Sequence, residues 1–156
     1  MMRKISRVRT AAILAGALAM LTLAGCEEAA PEDDGATTSQ IPGNYNGRPV
    51  DYAGIAYVDS TSVEILAWDS GQVDGDIVTI VVNGTVVFDN YTLTGTPTPR
   101  SLTLNNGFNY ILLYAHNEGS ISPNTAAVDL DDGASYQNLV LSADLTSNSA
   151  MDIVVR

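Results

Sequence analysis

Ile80-Val81-Val82-Asn83-Gly84-Thr85-Val86-Val87 is the stretch on which the fold of this chain turns. Two β-branched runs flank an Asn-Gly dipeptide, which readily takes the positive φ angles of a type I′ turn, whose twist matches that of paired strands. The spacing predicts a two-residue hairpin. Outward from it, short apolar runs rich in Val, Ile, Tyr and Thr alternate with turn signals at 62–68, 77–82, 85–88, 101–104, 110–115, 126–130, 136–141 and 151–155. Such spacing belongs to an antiparallel sandwich or barrel, and no stretch of 48–156 carries a convincing helical period. The expectation is an all-β domain, a single antiparallel β-sandwich of about 7–9 strands, with a small barrel or jelly roll as the competing architecture.

The runs 77–82 and 110–115 are apolar at nearly every residue, which predicts central strands. The runs 62–68 and 101–104 alternate, as half-exposed strands do. If successive strands are antiparallel, the connections sort to two ends. Tight turns at 83–84, 105–109 and 131–135 share one end; longer connections at 69–76, 89–100, 118–125 and 142–150 share the other. Sites on sandwiches sit on long loops held by a rigid scaffold, so the second end is where function is expected.

Two of those loops stand out. Trp68-Asp69-Ser70-Gly71-Gln72-Val73-Asp74-Gly75-Asp76 places three carboxylates within eight residues, with two glycines to bend the chain. Clustered oxygen ligands on a bent loop suit a hard cation such as Ca²⁺, so Asp69, Asp74 and Asp76 are its candidate ligands. The spacing is not that of an EF-hand, since Gly71 and Val73 stand at its third and fifth positions. The competing reading is that Asp-Gly pairs make turns and that Asp74 and Asp76 cap backbone amides. The second loop, His116-Asn117-Glu118-Gly119-Ser120-Ile121-Ser122-Pro123-Asn124-Thr125, follows a central strand. Together with Trp68, which could stack on a sugar ring, His116, Asn117 and Glu118 are the candidate partner-binding residues. His116 continues the face of Tyr110, Leu112 and Tyr114, where a hydrogen-bonded rim histidine competes with a metal ligand or general base.

Residues 104–110, Leu-Asn-Asn-Gly-Phe-Asn-Tyr, resemble the tyrosine corner of immunoglobulin-like sandwiches, which implies that the Tyr110 hydroxyl closes the turn before a central strand. An immunoglobulin-like form is therefore expected, although the domain lacks the disulfide and the tryptophan position of antibody domains. The stretches WDSGQVDGD and AHNEGSISPNTA also resemble a class of secreted bacterial β-sandwich domains in which an Asp-Gly-Asp loop precedes a strand ending at Asn-Gly. That resemblance spans most of 62–156 and implies a fold and an extracytoplasmic setting, but no activity.

The front of the chain has its own pattern. Arg3, Lys4, Arg7 and Arg9 precede an apolar run over 11–23, the layout of a secretory signal, and the run is too short for a membrane span. Leu23-Ala24-Gly25-Cys26 resembles the lipobox of bacterial lipoproteins. The resemblance implies cleavage before Cys26 and acylation of that cysteine, the only one in the chain, with a membrane anchor on its lipids. Glu27 and Glu28 in place of the aspartate that retains lipoproteins at the inner membrane favour the outer membrane of a bacterial envelope. The organisation expected is a signal peptide over 1–25, an acidic flexible tether over 26–47 and the β-sandwich over 48–156.

The whole chain has a net charge of −11. Without 1–25, Arg48, Arg100 and Arg156 stand against 18 acidic residues, a balance of −15. Such a surface excludes nucleic acid as a partner and leaves an envelope protein or a glycan. No Gly-x-Ser-x-Gly elbow or P-loop is present, and one histidine with one acylated cysteine leaves little for nucleophilic catalysis. Paired carboxylates for glycoside hydrolysis are available, yet a domain of this size with tight turns has little room for a deep cleft. A non-catalytic module is expected.

Overall fold

The computed structural model describes residues 35–156, so the signal reading over 1–25, the lipobox with Cys26, and Glu27 and Glu28 lie outside the described residues. Every regular element among the described residues is a strand: β1 (Asn44–Tyr45), β2 (Arg48–Val58), β3 (Ser62–Trp68), β4 (Ile77–Val82), β5 (Thr85–Thr92), β6 (Thr98–Thr103), β7 (Gly107–Ala115), β8 (Asn124–Asp131), β9 (Tyr136–Ala143) and β10 (Asn148–Val155). They form a six-stranded sheet in the order β1-β2-β10-β7-β4-β5 and a four-stranded sheet in the order β6-β3-β8-β9. The fold is all-β and mostly antiparallel, but it holds ten strands, and β2 runs parallel to β10.

The Asn83-Gly84 hairpin forms as its sequence requires, with φ of 49° and 80° and Val82 facing Thr85. The apolar strands β4 and β7 pair with each other inside the six-stranded sheet. β3 alternates buried and half-exposed residues, putting Val63, Ile65 and Ala67 into the core. That core lies between the sheets and unites Ile65, Leu130 and Leu141 with Ile80, Ile111, Leu113 and Ile153.

β2 has no counterpart among the apolar runs read from the sequence. Pro49 and Gly54 interrupt its pattern, and only Ala56 and Val58 are buried along it. What makes it a strand is its long-range pairing with β10, shifted by a bulge at Ala150/Met151 where Gly54 takes φ of 143°.

Within the segment read as a tether, 35–47 is laid against the domain. Ala36 bridges Gly107 in parallel, and its carbonyl accepts the Phe108 amide at 2.8 Å. Ile41 and Tyr45 then pack over Val81, Leu112 and Ala150 on the outer face of the six-stranded sheet. The Tyr45 ring meets Tyr114 edge-on at 5.9 Å, and the Arg48 guanidinium lies over the other side of this cluster, 4.3 Å from the Tyr114 centroid. Asn46 and Gly47, at φ of 48° and 81°, repeat the turn of Asn83-Gly84 and join β1 to β2. Apolar burial holds this strip, since Leu112 would otherwise face water.

The expected tyrosine corner is replaced by an asparagine. Tyr110 alternates to the outer face, where its hydroxyl meets the Gly84 backbone. Asn109 faces inward, fully buried, and closes the turn: it accepts from the Asn105 amide at 2.8 Å and donates to the carbonyls of Asn105 at 2.9 Å and Gly107 at 3.0 Å.

Candidate metal centre at the long-loop end

Strand directions place 69–76, 93–97, 116–123 and 144–147 at one end of the sandwich. Two of these connections are shorter than expected. β5 and β6 extend into the 89–100 stretch, and 142–150 shrinks to a turn whose Asp144 Oδ1 accepts the amides of Thr146 and Ser147. The four connections are hydrogen-bonded to one another. The Asp69 amide donates to the Thr94 carbonyl at 2.9 Å, and the Leu145 amide donates to Glu118 Oε1 at 3.3 Å.

The acidic loop is held by the loop after β7. Asn117 Oδ1 accepts the Ile77 amide at 2.7 Å while its Nδ2 donates to the Gly75 carbonyl at 2.8 Å. Asp74 Oδ2 accepts the amides of Ser120 at 2.8 Å and Ile121 at 2.7 Å. Asp76 Oδ2 accepts the Thr125 amide at 3.2 Å, and Asp69 Oδ1 accepts the Gly71 amide at 2.9 Å. Capping of backbone amides is thus present, as the turn-forming reading of the loop holds. It accounts for only one oxygen of each carboxylate.

The other three oxygens, Asp69 Oδ2, Asp74 Oδ1 and Asp76 Oδ1, are buried with no hydrogen-bond partner. Asp69 is 6% exposed and Asp76 3%. One oxygen from each residue lies within 4.8 Å of the others. The group opens on a cleft of about 240 Å³ walled also by Ser70, Gln72, Ile121 and Thr125. Burial pushes the Asp76 carboxyl up to about 6; the Thr125 amide pulls it down, and the negative charges of Asp74 and Asp69 push it up again. A larger cleft of about 310 Å³, at the opposite end, is lined by Val82, Asn83, Thr85, Val87, Leu102, Thr103 and Asn105. It carries no ionisable side chain, and a third cleft of about 370 Å³ beside Glu64, Asp131 and Asp132 holds no buried unpartnered carboxylate oxygen, which sets the Asp69, Asp74 and Asp76 cleft apart.

Of the residues singled out in the sequence, Asp69, Asp74 and Asp76 are brought together; the rest are not part of their group. Trp68 is half-buried at the end of β3, on the sheet face opposite to the inward Ala67, and does not wall the cleft. His116 lies on the outer face of the other sheet, its Nε2 2.8 Å from Thr79 Oγ1 and its ring edge-on to Tyr114 at 5.0 Å. That is the hydrogen-bonded rim histidine. Glu118 is spent on Leu145, and Asn117 acts as a brace between loops.

Sequence reasoning quoted Gly119, Asn124 and Thr125 within the second loop but gave them no role. Gly119 has φ of 56°, and a Cβ there would collide with Asp74 Oδ1, so this position needs glycine. Asn124, fully buried, donates to the Asn117 carbonyl at 3.2 Å. None of these contacts has a local signal, because each joins residues that the fold alone brings together.

No family model, curated protein or solved structure matches this chain.

Proposed function

We propose that this protein is a lipid-anchored, extracytoplasmic interaction module of a bacterial envelope, held at Cys26 and favouring the outer membrane, with no catalytic activity. It would present its acidic long-loop end to an envelope protein. One observation carries the reading: that end displays one exposed apolar side chain on each of three neighbouring loops. Val73 is 56% exposed, Ile121 52% and Leu145 48%. Ile121 walls the cleft of the buried carboxylate group, and the amides of Ile121 and Leu145 are tied to Asp74 and Glu118. Exposed apolar side chains set among charged groups are a mark of docking surfaces.

The entry of the chain supports this reading. Ala36 sits at Gly107, the end opposite the acidic loops, so a tether from a lipid reaches the domain on the far side from the proposed contact surface. An immunoglobulin-like arrangement fits the strand order, with β3 beside β6 in one sheet and β4, β7 and β10 adjacent in the other. The β8–β9 hairpin is then an insertion before the last strand. The carbohydrate reading finds less support, because Trp68 lies outside the acidic cleft and a stacking residue would be separated from the cation.

Photo-crosslinking residues at Val73, Ile121 and Leu145, installed in cells, test the proposal against controls at the exposed strand positions Val86 and Val140. The three loop positions should trap one common adduct that the controls do not. Equal labelling at all five positions, or none at the loops, refutes it. Cys26→Ser should leave the protein unlipidated and uncut before residue 26; membrane attachment and cleavage that both persist unchanged would remove the anchor.

A further inference from the structure

We propose that Asp69, Asp74 and Asp76 bind one Ca²⁺ ion, which fixes the loop after β3. Three acidic residues close in sequence are common and mean little alone. Here each carboxylate is fixed by one oxygen on backbone amides from its own loop or from 120–125, and holds the second oxygen inward with no partner. Two of the three side chains are more than nine-tenths buried. Burying unpaired anionic oxygens together is costly, and the cost is removed when a cation sits among them.

Among the described residues no side-chain cation stands at this place. Arg48 donates to the carbonyls of Ala115 and Asp144, Arg100 lies over Phe88, and Arg156 lies over Tyr57. These are the arginines of the described residues, which contain no lysine. Oxygens bound to a single Ca²⁺ at about 2.4 Å stand no more than about 4.8 Å apart, and the three carboxylates meet that span. The donor set is all oxygen, since His116 and its imidazole are engaged with Thr79 on another face, so a zinc site is disfavoured. Side-chain oxygens of Ser70 and Gln72, which wall the cleft, and water can complete the six to eight ligands that Ca²⁺ takes. This inference is independent of the partner reading above, and the two experiments fail separately.

The test is calcium binding by the full chain, purified in detergent and stripped with EDTA. Equilibrium dialysis against ⁴⁵Ca²⁺ should give one ion per chain with a Kd of about 10⁻⁵ to 10⁻³ M, and Ca²⁺ at ten times Kd should raise the melting temperature by about 4–8 °C. Asp69→Asn and Asp76→Asn should each weaken binding at least about tenfold. Metal-free Asp76→Asn should melt no lower than the metal-free parent, because it relieves repulsion, which separates lost binding from lost folding. Gly119→Ala keeps all three carboxylates but displaces Asp74, and should also weaken binding. Absence of bound Ca²⁺ at 10 mM, affinity unchanged in the aspartate variants, or tighter binding of Mg²⁺ or Zn²⁺ than of Ca²⁺ overturns the proposal.

Discussion

Replacing Asn109 by alanine should be among the most damaging single changes in the domain. Its side chain is fully buried and makes four hydrogen bonds: from Asn83 Nδ2 at 2.7 Å, from the Asn105 amide at 2.8 Å, and to the carbonyls of Asn105 and Gly107. The Asn83 contact matters twice, because Asn83 Oδ1 in turn accepts the Tyr110 amide at 3.0 Å. One side chain therefore fastens the β4–β5 hairpin to the β6–β7 turn. Each such bond contributes about 1 kcal/mol net, and a buried group left unpaired costs about 1–3 kcal/mol. Asn105 is exposed, so water can replace its lost contacts, while Asn83 is half-buried. The balance is a loss of about 2–4 kcal/mol, read as a fall in melting temperature of roughly 8–16 °C for a domain of this size. Urea unfolding followed by tryptophan fluorescence measures it directly. Asn105→Ala, which keeps the Asn105 backbone groups, should cost well under 1 kcal/mol. If Asn109→Ala loses less than about 1 kcal/mol, the turn is held by something other than this side chain and the reasoning is refuted.

Asn117→Ala should unfasten the acidic loop without unfolding the domain, at a cost of about 1–2 kcal/mol. Hydrogen exchange at the Ile77 amide, which donates to Asn117 Oδ1, should quicken; unchanged protection there contradicts the brace. Asp132 gives a pH prediction. The amides of Asp59, Ser135 and Ala134 all donate to it and hold its carboxyl well below the usual carboxylate range. A depressed folded pKa stabilises the protein above the unfolded value of about 3.9, and that stability fades as pH falls through the folded pKa. Asp132→Asn should therefore be less stable than the parent at pH 7, with the gap closing below about pH 4; a gap constant with pH defeats the assignment. Ile41→Ala with Tyr45→Ala should uncover Leu112 and cost about 1–3 kcal/mol, while no change in the denaturation midpoint would show that the strip over 35–47 adds nothing.

Much of the fold was legible because strands announce themselves locally. β3 and β4 have the bounds that their apolar runs predict, and Asn83-Gly84 turns as its backbone preference demands. The same dipeptide at 46–47 makes the same turn, but it stands at the end of an acidic stretch with no apolar alternation before it, so nothing marked a hairpin. β2 was invisible for a related reason: its partner is β10, some hundred residues on, and Pro49 and Gly54 blur its period. The separation of Trp68 from the acidic cleft was legible in principle, since neighbouring residues at a strand end point to opposite faces.

The amino-acid order by itself determined the strand periodicity, the tight turns, the anionic surface and the presence of three aspartates in one bent loop. These follow from backbone preference and side-chain chemistry within a few residues. Which oxygen of Asp74 and of Asp76 would be satisfied, and which left bare, was decided only when the β7–β8 connection and the start of β8 delivered Ser120, Ile121 and Thr125 to that loop. Folding supplies those amides from some forty residues away, and hydrogen bonds at 3 Å depend on where the packed sheets put the backbone, not on spacing along the chain.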